Sequence, residues 1–114
     1  MTEIGKSACQ AWAQDFEQRH GTVRDPQQLR ELYSSEARVP NAENGAMRRA
    51  MAQLEFSIFV TVLVNFTSHQ ISKQKVREVQ AISGAKVTRR EYWNLLDRAY
   101  YFMAGMLTLT DQAA

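Results

Sequence analysis

Few side chains in this sequence of 114 residues have an ordinary pKa close enough to neutral pH to serve readily as a nucleophile or a base there. They comprise one cysteine, Cys9, and two histidines, His20 and His69. Catalysis at neutral pH usually needs a nucleophile beside a base, paired carboxylates or a metal shell. Neither histidine has a partner at a recognisable spacing, and Cys9 lies on the apolar side of a predicted helix, where a lone cysteine typically acts as a small buried hydrophobe. We therefore expect no catalytic residue and predict that the protein is not an enzyme.

Metal and phosphate-binding motifs do not occur in the sequence. It has no Cys/His cluster of zinc spacing and no acidic loop of calcium spacing. A phosphate-cradling loop needs closely spaced glycines, whereas the five glycines here are scattered at Gly5, Gly21, Gly45, Gly84 and Gly105. We expect neither a metal nor a cofactor.

The distribution of charge is the feature that points to a function. The net charge is only +2, but residues 1–45 carry five bases against seven acids, net −2, and residues 46–114 carry nine against five, net +4. Residues 73–90 carry six bases against one acid, Glu78, net +5. Such a field attracts polyanions within a Debye length, roughly 8 Å at physiological salt. The six bases are Lys73, Lys75, Arg77, Lys86, Arg89 and Arg90.

These bases surround a predicted pair of helices joined by a short bend. Apolar residues at helical spacing predict a helix over residues 72–83, and Gly84 ends it. Thr88 and Glu91 have the spacing of a capping box, which starts a second helix. Helix, tight turn, helix is the organisation of the DNA-reading helix-turn-helix, in which the first residues of the second helix face the base edges. Gln80 and Arg90 depart from that motif, since a small and an apolar packing residue are usual there.

This arrangement predicts a nucleic-acid-binding site and assigns its residues. Arg89 and Arg90 would read bases, with Asn94 one turn further on, because arginine binds guanine edges or phosphates through two parallel hydrogen bonds. The free N–H groups at Thr88 could hold a phosphate. The remaining bases would contact the DNA backbone and make affinity dependent on salt; they are Lys73, Lys75, Arg77 and Lys86.

A second interpretation treats the same bases as a solvated helix face. The protein would then be a protein-binding adaptor or inhibitor, similar in composition to secretion chaperones and small mobile-element proteins. Its five Met, four Tyr, five Phe and two Trp suit an adaptable interface, although their helical spacing favours the core for most of them. A third interpretation is a structural subunit of a larger assembly.

The elements that position these residues are predicted to form one all-α domain. Only five glycines and two prolines argue against a turn-rich β fold. Two helices are expected within residues 1–34: one over residues 7–20, ended by Gly21, and a shorter one that begins at Asp25-Pro26. A polar connection over residues 35–45 follows, and the basic pair occupies residues 71–110. Gly105, inside the last helix, suggests close backbone packing there.

The most apolar run, residues 56–66, decides the centre of the fold. Its eleven positions are too few to span a membrane, which takes roughly 20 apolar residues. Because no Gly, Pro, Asn or Asp lies between Met47 and Val64, we predict one long buried helix over residues 46–70. The run also alternates with period two, and as a strand it would make residues 60–100 resemble a ribbon-helix-helix regulator, with Asn65 and Thr67 facing bases.

The expected architecture is a bundle of about five helices around that central helix. Short amphipathic neighbours would leave its apolar surface uncovered, so we expect a homodimer. The single cysteine and the absence of an apolar signal core in residues 1–6 predict a protein of the reducing cytoplasm.

Overall fold

A computed structural model describes residues 2–40 and 45–113, with side chains over residues 3–40 and 45–107. This part of the chain is all helical, as predicted, and contains no strand. Its radius of gyration, 13.4 Å, is that of a compact chain of this length. No helix among the described residues has the length and apolar character needed to cross a membrane. The helices are α1 (Thr2–His20), α2 (Pro26–Glu36), α3 (Gly45–Gln53), α4 (Phe56–Thr67), α5 (Ser72–Ser83) and α6 (Arg89–Ala113).

Several helix ends follow from local signals in the sequence. Gly21 and Gly84 adopt φ values of 76° and 72°, the left-handed conformation that ends α1 and α5. The Asp25 side chain accepts a 2.9 Å hydrogen bond from the Gln28 N–H and caps α2. Two boundaries were wrong: α1 already begins at Thr2, and α2 continues to Glu36, into the predicted polar connection. Residues 41–44 of that connection lie outside the described residues.

The prediction of one long central helix was wrong, because the chain breaks between α3 and α4. The Tyr33 hydroxyl of α2 donates a hydrogen bond to the Leu54 carbonyl, an acceptor that a continuous helix would use itself. Glu55 has a ψ of 147°, outside the helical range, and its carbonyl accepts hydrogen bonds from the Ile58 and Phe59 N–H groups of α4. A contact from another helix therefore ends α3 where the sequence has no breaker.

The apolar run itself is helical, which removes the strand and with it the ribbon-helix-helix alternative. Every residue from Ile58 to Val64 is buried, because α4 packs against α1, α2, α3, α5 and α6 of the same chain. The expected homodimer was argued from an uncovered surface on this helix. That argument was wrong, since one chain covers the helix.

Helix α1 lies close along α6, and glycine permits the contact at one point. A Cβ atom on Gly5 would lie 1.8 Å from the Tyr100 carbonyl oxygen. Gly105 has no neighbour within 4 Å of such an atom, so the close packing expected there was wrong. The α1–α6 contact holds α6 in place and thereby positions the start of α6, where the candidate site lies.

Candidate nucleic-acid interface

Asn65, in the last turn of α4, joins the two helices of the candidate site. Its backbone carbonyl accepts a 3.0 Å hydrogen bond from the Lys75 ammonium group of α5. Its side-chain oxygen accepts a 2.7 Å hydrogen bond from the Tyr92 hydroxyl of α6. Tyr92 is fully buried, and this burial raises the pKa of its phenol. Asn65 of α4 therefore anchors both α5 and α6. The sequence had suggested a role for this residue only in the strand alternative.

The bend between α5 and α6, residues 84–88, is also anchored. Val87 is buried, which fixes the middle of the bend to the apolar core. Ser83 precedes the bend: its hydroxyl accepts a 3.2 Å hydrogen bond from the Ala85 N–H and donates one of 2.7 Å to the Val79 carbonyl. The side chains on either side of the bend therefore project from a supported backbone.

Seven of the eight predicted site residues are exposed, and they are distributed along α5, in the bend and at the start of α6. On α5, Lys73 and Arg77 are four residues apart and share one face, turned away from the buried Val79. Lys75 is the exception: it is half-buried and bonded to the α4 carbonyl, so it supports the fold. The exposed residues are Lys73, Arg77, Lys86, Thr88, Arg89, Arg90 and Asn94.

We call the five exposed basic residues of that set the basic bend; they are Lys73, Arg77, Lys86, Arg89 and Arg90. Among the described residues, none of the five forms an ion pair with a carboxylate of the chain. Their charge is therefore available to a ligand.

Glu78, the acid that interrupts the basic segment, is paired with Arg24. The Arg24 guanidinium lies in the connection between α1 and α2 and binds the Glu78 carboxylate. It also donates a 2.8 Å hydrogen bond to the Thr67 hydroxyl, at the end of α4. The pairing offsets the negative charge of Glu78 beside the basic bend. Sequence reasoning missed it because Arg24 lies 54 residues from its partner.

Thr88 serves as the cap of α6. Its hydroxyl accepts a 3.1 Å hydrogen bond from the Glu91 N–H, as a capping box predicts. The Glu91 carboxylate, however, accepts a 3.3 Å hydrogen bond from the Thr88 hydroxyl, where the motif has the Thr88 N–H as donor. An acid of the chain thus already lies at the helix start, which disfavours the phosphate expected there.

The two helices do not pack chiefly on each other. Helix α5 lies mainly on α4 and α6 mainly along α1, with slight direct contact between α5 and α6. The bend therefore presents bases from two separately supported helices.

Comparisons with models of protein families, with curated proteins and with solved structures found no match.

The nucleophile and the bases considered for catalysis lie elsewhere. Cys9 is fully buried, as expected, and burial raises the pKa of its thiol from 9.0 to about 12. Burial and the nearby Arg19 guanidinium lower the pKa of His20, and His69 is exposed in the connection between α4 and α5. The described residues contain no group of three or more His, Cys, Asp or Glu side chains that could hold a metal ion.

Proposed function

We propose that this chain is a small cytoplasmic DNA-binding regulator or accessory protein that acts without catalysis. The observation that carries the proposal is the basic bend: five exposed bases without an ion-pair partner among the described residues, next to an acid paired with Arg24. Phosphates are the ligands that such a surface attracts.

The proposed contacts divide into two kinds. Lys73, Arg77 and Lys86 bind phosphates of the DNA backbone, and each contact releases counterions. Arg89 and Arg90, at the start of α6, bind phosphates or guanine edges through paired hydrogen bonds, with Asn94 one turn further along. Lys75 holds α5 against α4 and makes no contact of its own with the nucleic acid.

The test is the binding of a labelled duplex of random sequence across a salt series, followed by fluorescence anisotropy. Each phosphate contact contributes about −0.9 to the slope of log K against log salt. We expect Arg89→Ala/Arg90→Ala to weaken binding at every salt concentration and to make the slope shallower by about two. Lys6→Ala/Arg38→Ala is the matched control, because it removes two exposed bases outside the basic bend.

Two outcomes contradict the proposal. If the wild-type chain does not bind the duplex at low salt, the protein is not a DNA-binding protein of this kind. If the control pair weakens binding as much as the Arg89/Arg90 pair, binding follows the total charge and the basic bend is not its site.

The homodimer is retained as part of the proposal on functional grounds alone. Helix-turn-helix regulators commonly bind two half-sites with two copies of the chain. Sedimentation velocity at increasing concentration, with and without duplex, measures the mass directly. A mass that stays near 13.1 kDa without duplex, and at one chain per duplex with it, contradicts the dimer.

The adaptor interpretation is the second candidate, and one observation favours it. Tyr101 is 60% exposed on α6 and lines a shallow depression with Asn94, Asp97 and Arg98. Large exposed aromatic residues are enriched in protein interfaces. Failure to bind any nucleic acid at low salt would leave this candidate as the better one.

A further inference from the structure

We infer that the basic bend binds a single-stranded segment of nucleic acid, with an unpaired base stacked on Trp93. This inference rests on the proposed function and specifies its ligand. It is carried by an exposed indole that lies one helical turn after two exposed arginines and contacts the ring of a buried tyrosine.

Trp93 is 46% exposed although it is one of the largest apolar side chains in the protein. It lies in the first turns of α6, four residues after Arg89 and three after Arg90. Residues at those spacings are neighbours on a helix surface. Arg89 and Arg90 therefore precede Trp93 by one helical turn, and we expect their exposed guanidinium groups to hold the phosphates on either side of a stacked nucleobase.

The indole also contacts the ring of the preceding residue, Tyr92. The rings of Tyr92 and Trp93 meet edge to face, with centroids 5.3 Å apart and planes at 87°. Tyr92 is buried, and its hydroxyl is bonded to Asn65. A ring with a fixed neighbour loses less freedom when it binds a flat ligand. Trp93 is thus a preformed stacking surface.

Unpaired bases fit this surface better than a duplex does. In a duplex each base is already stacked between its neighbours, whereas an unpaired base exposes its flat face. Aromatic side chains interleaved with bases are the usual combination in single-strand binding, since every nucleobase has a face that can stack. Asp97 is exposed four residues after Trp93, one helical turn further from Arg89 and Arg90. Its negative charge directs the phosphates towards Arg89 and Arg90.

The test compares an oligothymidylate with a random duplex carrying the same number of phosphates. Trp12 is buried, so Trp93 is the tryptophan whose fluorescence a stacked base can quench directly. We expect quenching by the single strand in the wild type and its loss in Trp93→Phe. Trp93→Ala should lose affinity for the single strand on the order of tenfold while affinity for the duplex is unchanged. An oligouridylate arm measures whether DNA or RNA is preferred.

Tyr101→Ala is the matched control. It removes an aromatic side chain that is 60% exposed on the same helix, about 12 Å further along the axis and away from the basic bend. We expect it to bind the oligothymidylate like the wild type. Circular dichroism of each variant checks that the helices are intact.

The outcomes separate this inference from the proposed function. If neither nucleic acid binds in a salt-dependent way, the proposed function fails and the inference fails with it. If both bind but the single strand causes no quenching, or if Trp93→Ala binds the oligothymidylate like Tyr101→Ala does, the inference is overturned and the proposed function stands. Equal losses for single strand and duplex also overturn it, because Trp93 would then not distinguish them.

Discussion

Glu36 is a carboxylate at a position that is only 1% exposed, and two arginines explain why it is tolerated there. One carboxylate oxygen accepts a 2.9 Å hydrogen bond from Arg19 of α1. The other accepts a 2.9 Å hydrogen bond from the Nε–H of Arg48 in α3. Arg19 also binds Asp15 at 2.8 Å. Glu36 therefore links three helices through charge-assisted hydrogen bonds.

Glu36→Gln tests this link at the level of one residue. The amide keeps the shape of the side chain but removes the charge partner of the half-buried Arg48 guanidinium and leaves Arg19 paired with Asp15 alone. Removing one member of a buried pair is strongly destabilising. We expect the free energy of unfolding, measured by urea denaturation, to fall by about 3 kcal/mol.

Glu55→Gln is the control for that measurement. Glu55 pairs with Arg98 at 3.6 Å, and the two side chains are 66% and 61% exposed. An exposed pair of this kind contributes little, so the loss should stay below about 0.5 kcal/mol. Equal losses in the two variants would mean that Glu36 does not hold the three helices together.

At the scale of the helices, features that depend on local signals were predictable from the sequence, whereas features that depend on contacts between distant residues were not. The limits of α5, the left-handed Gly84 and the Thr88 cap were predictable, because each depends on residues within one turn of the chain. The break before α4 was not, because Tyr33 of another helix binds the Leu54 carbonyl. Sequence periodicity carries no signal for such a contact.

The candidate site divides in the same way. The exposure of Arg89, Arg90 and Asn94 followed from their positions off the apolar face of α6. The hydrogen bond of Lys75 to the Asn65 carbonyl and the pairing of Glu78 with Arg24 could not be predicted in this way, because Asn65 and Arg24 lie outside α5. The helical spacing of the aromatic residues favours the core for most of them, and only the fold places Trp93 at the surface.

The contact between α1 and α6 gives a prediction at this scale. In Gly5→Ala the added Cβ would lie 1.8 Å from the Tyr100 carbonyl oxygen, so the two helices must separate. We expect a net loss of about 1–3 kcal/mol in the free energy of unfolding, as for other overpacked sites.

Gly105→Ala is the matched variant in the same pair of helices. Open space surrounds this position, so alanine meets no atom and gains helix propensity. We expect unfolding to become less favourable by about 1 kcal/mol. Thermal melts of the two variants should therefore shift in opposite directions, and a shift of the same sign in both would contradict the close approach at Gly5.

At the scale of the whole molecule, the fold brings together charges that are far apart in the sequence. The acidic segment before residue 45 supplies Arg24 to the basic segment, where it pairs with Glu78. It also buries Glu36 between Arg19 and Arg48. Glu36 and Glu78 are therefore paired with arginines of the chain, while the bases of the basic bend are exposed to solvent. A nearly neutral chain can in this way present a locally cationic surface.

The buried interface between α1 and α6 makes the stability of the whole fold sensitive to alkali. Burial raises the pKa of the Cys9 thiol from 9.0 to about 12, and that of Tyr100 from 10.0 to about 12. The unfolded chain ionises Cys9 above about pH 9 and Tyr100 above about pH 10, while the folded chain keeps both groups protonated up to about pH 12. Stability is therefore complete below pH 9 and declines towards pH 12. For Cys9 the decline approaches about 1.4 kcal/mol per pH unit.

We expect Cys9→Ala to flatten the dependence of melting temperature on pH between 9 and 11 without changing its form below pH 8. Parallel curves for the variant and the wild type would show that the thiol ionises equally in the folded and unfolded chains, which would contradict this prediction.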